Sequence, residues 1–107
     1  MRIRAARRDD FEAVTRLLEE LGRPLVPAEV EPDCRAVYDS QILNPDVHHI
    51  VAEGPSGLVA FASLHFRSRL NHPTEDAWIP DLVVTESARR QGIGRALLDE
   101  AERRARD

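Results

Sequence analysis

The residues best suited to chemistry lie in one run, Asp81-Leu-Val-Val-Thr-Glu-Ser-Ala-Arg-Arg-Gln-Gly-Ile-Gly-Arg-Ala-Leu-Leu98. An apolar stretch suited to a strand, Leu82 to Val84, leads through a short loop into a glycine-containing turn that opens a helix. The first N–H groups of a helix have no partner within it, and the helix dipole adds partial positive charge at that end. Gly92 and Gly94 lack a Cβ, so a bulky anion can approach the main chain. Arg89, Arg90 and Arg95 surround the turn and suit phosphate oxygens. Gln91 and Ile93 complete it. The arrangement is a cradle for a phosphate or pyrophosphate, and its bland alternative is a helix start with solvated arginines.

Two phosphate motifs are excluded. A dinucleotide fingerprint needs G-x-G-x-x-G/A, but Leu97 stands three residues after Gly94. A Walker A loop needs Lys, and all 15 basic residues of this chain are Arg. The lack of Lys also removes Schiff-base chemistry.

The elements that must position this turn follow from periodicity. Residues 2–6 read as a first strand. Asp9 and Asp10 supply an N-cap and negative charge for a helix carrying Phe11, Val14, Leu17, Leu18 and Leu21, with Gly22 as its C-cap. Three prolines mark 23–32 as a loop. A second helix is expected over 33–43, with Ala36, Val37, Ile42 and Leu43 on its apolar side. Residues 49–53 and 58–66 flank Gly54-Pro-Ser-Gly57 as a β-hairpin. A polar loop at 67–75, a strand at 77–84 and a helix at 95–106, striped by Ala96, Leu97, Ala101 and Ala105, complete the order β-α-α-β-β-β-α. Short connections between successive strands predict an α/β (α+β) fold with a mixed, mostly antiparallel sheet flanked by helices.

With 107 residues the chain reads as a single domain, 42% apolar and 32% charged, which is ordinary for a globular protein. A net charge of −4 suggests neither nucleic acid nor a membrane surface as partner. Cys34 is the only cysteine. It can form no internal disulfide, fits a reducing compartment and reads as a packed small residue. With no apolar leader and no spanning run, the expected location is cytoplasmic.

Arg89-x-x-Gly92-x-Gly94, preceded by Leu82-Val83-Val84, resembles the acetyl-CoA signature of the GNAT superfamily of acyl-CoA N-acyltransferases, R/Q-x-x-G-x-G/A after a strand. The likeness extends over almost the whole chain through the element order. It implies acetyl-CoA as acyl donor, no metal, and direct transfer of an acetyl group to a primary amine on a small molecule or peptide. It implies that the backbone of Leu82, Val83 and Val84 bonds the pantetheine arm, and that the Val84 N–H stabilises charge on the thioester oxygen. The turn from Arg89 and Arg90 through Gln91, Gly92, Ile93 and Gly94 to Arg95 would hold the pyrophosphate.

Two departures from the family pattern stand out. Related sequences often carry Glu before the Asp, where this chain has Pro80. Pro80 removes a ladder donor and belongs at a bulge or an unpaired edge. Asp81 remains as a candidate base or amine anchor, its alternative being a structural carboxylate. The family fold also continues past the third helix with a fifth strand, a fourth helix and a final hairpin. The resemblance therefore implies a partial domain, truncated before the fifth strand. The 77–84 strand would then offer its edge to a second copy or a partner chain. The alternative function is a non-catalytic CoA-binding or interaction module.

Other candidates carry less. His48 and His49 are adjacent, so on a strand they face opposite sides and suit no shared metal. His65 reads as surface or as lining an acceptor pocket. Glu19 and Glu20 border the acceptor region in relatives, or form a solvated helix face. Arg103, Arg104 and Arg106 suit a helix C-terminus.

Overall fold

Two helices separate the first strand from a three-stranded meander, and the last strand feeds a third helix. The computed structural model describes residues 1–24, 26–68 and 75–106. In chain order these form β1 (Arg2–Ala5), a 3-10 turn at Arg8–Asp10, α1 (Phe11–Glu20), α2 (Glu31–Leu43), β2 (Val47–Gly54), β3 (Gly57–Ser68), β4 (Glu75–Val84), a 3-10 turn at Glu86–Ala88, and α3 (Ile93–Arg106). The sheet order is β1-β2-β3-β4, and all three pairings are antiparallel. The expected order β-α-α-β-β-β-α is the observed one. The β2–β3 hairpin closes at the expected Gly54–Gly57 pair. The expected 67–75 loop lies largely outside the described residues.

Strand alternation divides the core between two faces. Ile50, Ala52, Ala60, Ala62 and Leu64 meet Ile93, Leu97 and Ala101 of α3. Val51, Phe61 and Val83 meet Phe11, Val14 and Leu17 of α1 and Tyr38 of α2. Both faces are covered, so β2 carries four consecutive buried residues, His49 to Ala52.

Three local expectations need correction. Helix α2 begins at Glu31 with Pro32 in its first turn, where a missing N–H is harmless. Its inward side is not Val37 and Leu43, which are 58% and 81% exposed, but Tyr38, with the expected Ile42 packed beside it. The Tyr38 hydroxyl donates to the Arg7 carbonyl at 2.6 Å, and its ring packs edge-on against Phe11. Helix α3 starts two residues earlier than expected because the Ile93 side chain is buried against the sheet.

The third correction concerns Asp10, whose side chain does not cap α1. It accepts the Arg7 N–H at 2.7 Å and meets the Arg4 guanidinium at 2.8 and 3.1 Å. Arg4 also reaches Glu53 at 3.3 Å, so one guanidinium ties β1 to the entry of α1 and to β2. Burial alone would raise the Asp10 pKa; the Arg4 hydrogen bonds and the Arg7 amide outweigh it and hold the carboxyl below its ordinary value. A lowered folded pKa gives stability that is present above the unfolded value, near 3.9, and lost as pH falls through the folded value. Asp10→Asn should therefore cost roughly 2 kcal/mol at neutral pH in urea unfolding. The gap between variant and wild type should narrow as the pH is lowered below about 4.

Candidate active site along the outer edge of β4

Strand β4 is the last strand of the sheet, and its register breaks once. Ser63 pairs with Asp81 and His65 with Trp78, so two steps along β3 oppose three along β4. The extra residue falls at Ile79–Pro80, a bulge that absorbs the N–H proline lacks. Beyond it the ladder is regular, and the Thr85 N–H donates to the Val59 carbonyl at 2.8 Å. Counting back along this antiparallel register, Val83 turns its N–H and C=O toward β3, whereas Leu82 and Val84 turn theirs outward. The Val83 side chain is buried beneath α1, so it offers no surface to a ligand. Arg89 Nε donates to the outward Val84 carbonyl at 3.1 Å. The outward N–H groups of Leu82 and Val84 bond to no described residue.

The turn that follows has an unusual backbone. Gly92 lies at φ 77° and Arg90 at φ 68°. The left-handed region suits glycine and strains arginine. The Ala96 N–H donates to the Gly92 carbonyl at 3.0 Å, starting α3. The N–H groups from Gly92 through Arg95 bond to no described protein oxygen, whereas the Gln91 N–H closes the turn at Arg89–Arg90. A Cβ built on Gly92 would meet nothing within 4 Å, so the main chain there faces open space. Gly94 instead sits close to the strand, its Cβ position 3.6 Å from Val84 Cγ2. Arg90 and Gln91 are exposed; the Ile93 side chain belongs to the core. Arg95 pairs with Asp99 at 3.1 Å on the exposed side of α3.

The other face of the bulge opens into a cavity of about 460 Å³ between α1, α2 and the sheet. His49, Ser63, His65 and Asp81 line it, with Phe61 and Trp78. Ser63 Oγ and His65 Nε2 lie 2.7 Å apart, as do His49 Nε2 and Gln41 Oε1. Burial, then the proximity of His65, pushes His49 down to about 4 against the pull of Asp81. Burial also lowers His65, again opposed by Asp81. Asp81 Oδ1 accepts from Arg23 Nε and Nη2 at 2.9 and 2.7 Å, and Arg23 also donates to the Pro80 carbonyl. His48 faces the other side of the sheet, where Arg104 Nη1 lies 3.2 Å from its Nδ1. A hollow of about 470 Å³ near His48 and Arg104 contains no residue of the turn.

Several of these groups carry no signal in the sequence. Arg23 sits in a proline-rich segment and reaches a residue 58 positions away. Glu20, a candidate acidic border, instead accepts from the Thr85 hydroxyl at 2.8 Å and the Glu86 N–H at 3.2 Å, pinning the exit of β4 to α1. Arg103 and Arg104 pair with Glu100 rather than standing free at the helix end. Among the described residues no group of three or more His, Cys, Asp or Glu is placed to hold a metal ion. No helix among them is long and apolar enough to cross a membrane.

An antiparallel sheet whose last strand bulges and then leads into a glycine turn at a helix start is an arrangement that comparison with known proteins assigns to a family. Residues 11–107 match the model of the acetyltransferase (GNAT) family, and the chain belongs to that family. It is 34% identical to the aminoalkylphosphonate N-acetyltransferase of Salmonella typhimurium over 97% of its own length and 66% of that protein's. It therefore spans just under two thirds of this relative. Among solved structures it resembles a GCN5-related N-acetyltransferase from Ralstonia eutropha, with 26% identity, TM-score 0.74, and coverage of 96% of this chain and 74% of that one. The fold also matches a GNAT family acetyltransferase of Staphylococcus aureus at TM-score 0.80 and 18% identity, covering 98% of this chain and 77% of that one.

The two glycines of the turn should respond differently to a methyl group. Gly92→Ala must hold alanine at φ 77° and should lower stability by about 1 kcal/mol or more. Gly94→Ala adds only an ordinary contact to Val84 and should cost less in the same urea titration.

Proposed function

We infer that this chain carries the donor-binding part of an acetyl-CoA-dependent N-acetyltransferase acting on a primary amine. The observation that carries the reading is continuity. Outward amides of Leu82 and Val84 on β4 lead through the turn at Arg89–Arg90 to unbonded amides from Gly92 to Arg95, beside open space at Gly92. Acetyl-CoA, when bound, supplies an activated acetyl thioester. The site fits such a ligand because a diphosphate needs several converging N–H donors and its linear amide arm needs an unpaired strand edge.

In this reading the amides of Gly92, Ile93 and Gly94 hold the pyrophosphate, with the Arg90 and Arg95 guanidinium groups adding charge. Arg89 keeps the end of β4 in place through the Val84 carbonyl. The backbone of Leu82 and Val84 pairs with the pantetheine arm, while Val83 fixes the strand to the sheet. The Val84 N–H faces outward and can stabilise negative charge developing on the thioester oxygen. Asp81 stands at the bulge between this edge and the cavity and serves as anchor or proton acceptor for the amine. Holding amine and thioester together lowers the barrier by proximity.

The Salmonella relative is named for an aminoalkylphosphonate acceptor. A small-molecule amine is accordingly the acceptor class proposed here. The free edge of β4 also suits a strand from a second copy of this chain.

Calorimetry with acetyl-CoA is expected to show saturable one-to-one binding. Arg90→Glu should weaken it about tenfold by placing a carboxylate beside the diphosphate. No binding at millimolar acetyl-CoA, or an Arg90→Glu variant that binds as well as wild type, would contradict the reading.

A further inference from the structure

The cavity beneath the bulge differs sharply in character from the arginine-rich chain around it. Its lining includes Phe11, Val14, Leu18, Phe61 and Trp78, and no arginine among the described residues. Three arginines approach its rim, and all are engaged; Arg35 lies over the Phe11 ring, 5.2 Å from its centre, and donates to the Arg8 carbonyl. Arg23 is bound by Asp81 and the Pro80 carbonyl. The Arg67 guanidinium lies over the Trp78 ring, 4.8 Å from its centre.

The polar groups inside do not suit an anion either. Burial pushes His49 down to about 4 and lowers His65 as well, so both are biased toward the neutral form. The remaining ionisable group at the bulge is a carboxylate. Asp81 Oδ1 is taken by Arg23, and no described residue bonds to Oδ2. A phosphonate or carboxylate placed here would lose its hydration without gaining a cation, a costly exchange. An ammonium on an apolar body would bury that body against aromatic and aliphatic side chains and meet a carboxylate oxygen at the bulge.

We propose that this cavity takes a primary amine borne on an apolar, uncharged body, with its nitrogen at Asp81, and discriminates against amines that carry a phosphonate or carboxylate. The proposal rests on the acetyltransferase reading for its biological sense, since it makes the cavity the acceptor side of that reaction. It separates this chain from what the name of its Salmonella relative says of that protein. The specificity follows from lining chemistry rather than from the fold.

Trp78 is the only tryptophan in the chain, and it lines the cavity, so its fluorescence reports occupancy without any acyl donor. Titration of the full chain with phenethylamine is expected to change Trp78 emission saturably. 2-Aminoethylphosphonate over the same range should leave it unchanged. Phenethylamine should bind about five-fold more tightly than the matched neutral alcohol, phenylethanol. Asp81→Asn, checked for folding by circular dichroism, should remove that preference while retaining the response to phenylethanol. A saturable response to 2-aminoethylphosphonate at equal or lower concentration would overturn the proposal. So would a Trp78 signal indifferent to every probe, or an amine preference that survives Asp81→Asn. Because no coenzyme is present, a silent Trp78 leaves acetyl-CoA binding to stand or fall by calorimetry alone.

Discussion

Main-chain hydrogen-bond polarity on β4 is the constraint from which the rest of the site follows. In an antiparallel pair, alternate residues spend their N–H and C=O groups on the neighbouring strand, and those between must find partners elsewhere. On the last strand of a sheet those partners come from solvent, a ligand or a further strand. Here the outward set is Leu82 and Val84, a phase fixed by the Thr85–Val59 bond just beyond them. The bulge at Ile79–Pro80 adds one residue and shifts the phase of everything before it. It therefore separates a regular edge leading to the glycine turn from a displaced segment bordering the cavity.

The two faces of the sheet are built for different tasks. Facing α3, the strands present Ala52, Ala60 and Ala62, small residues that admit the helix closely. That closeness sets Gly94 against Val84 and fixes the helix start relative to the strand. Facing α1 and α2, the strands carry Phe61 in the packed part but His49, Ser63 and His65 toward the bulge. Packing gives way to a polar-edged cavity along β3, with His49 of β2 beside it. Contacts between distant segments hold this arrangement: Arg23 to Asp81, and Glu20 to Thr85 and Glu86, both tether the end of α1 to β4.

The turn and its strand were legible in the sequence because their signals are local. Two glycines, three arginines and an apolar run fall within residues 82–95, and the conformation they favour depends little on the rest of the chain. Element order was legible for the same reason, through periodicity and turn residues. The face of α2 was not. Its apolar residues do not form one stripe, and Tyr38 is drawn inward by a hydrogen bond to Arg7, 31 positions away. Asp10 looked like a helix cap because local preference says so, yet it is claimed by Arg4 across the chain. The cavity was invisible because cross-strand register creates it. Ser63 meets Asp81, and His65 meets Trp78, only once a bulge has been placed.

Amide-resolved NMR of the isotopically labelled chain with coenzyme A tests most directly whether the edge and turn act as one seat. The N–H signals of Leu82, Val84 and Gly92 to Gly94 should shift together with a single affinity, while Val83, bonded into the sheet, moves much less. Shifts confined to the far side of α3, or a response of the turn with Leu82 and Val84 unmoved, would contradict the account.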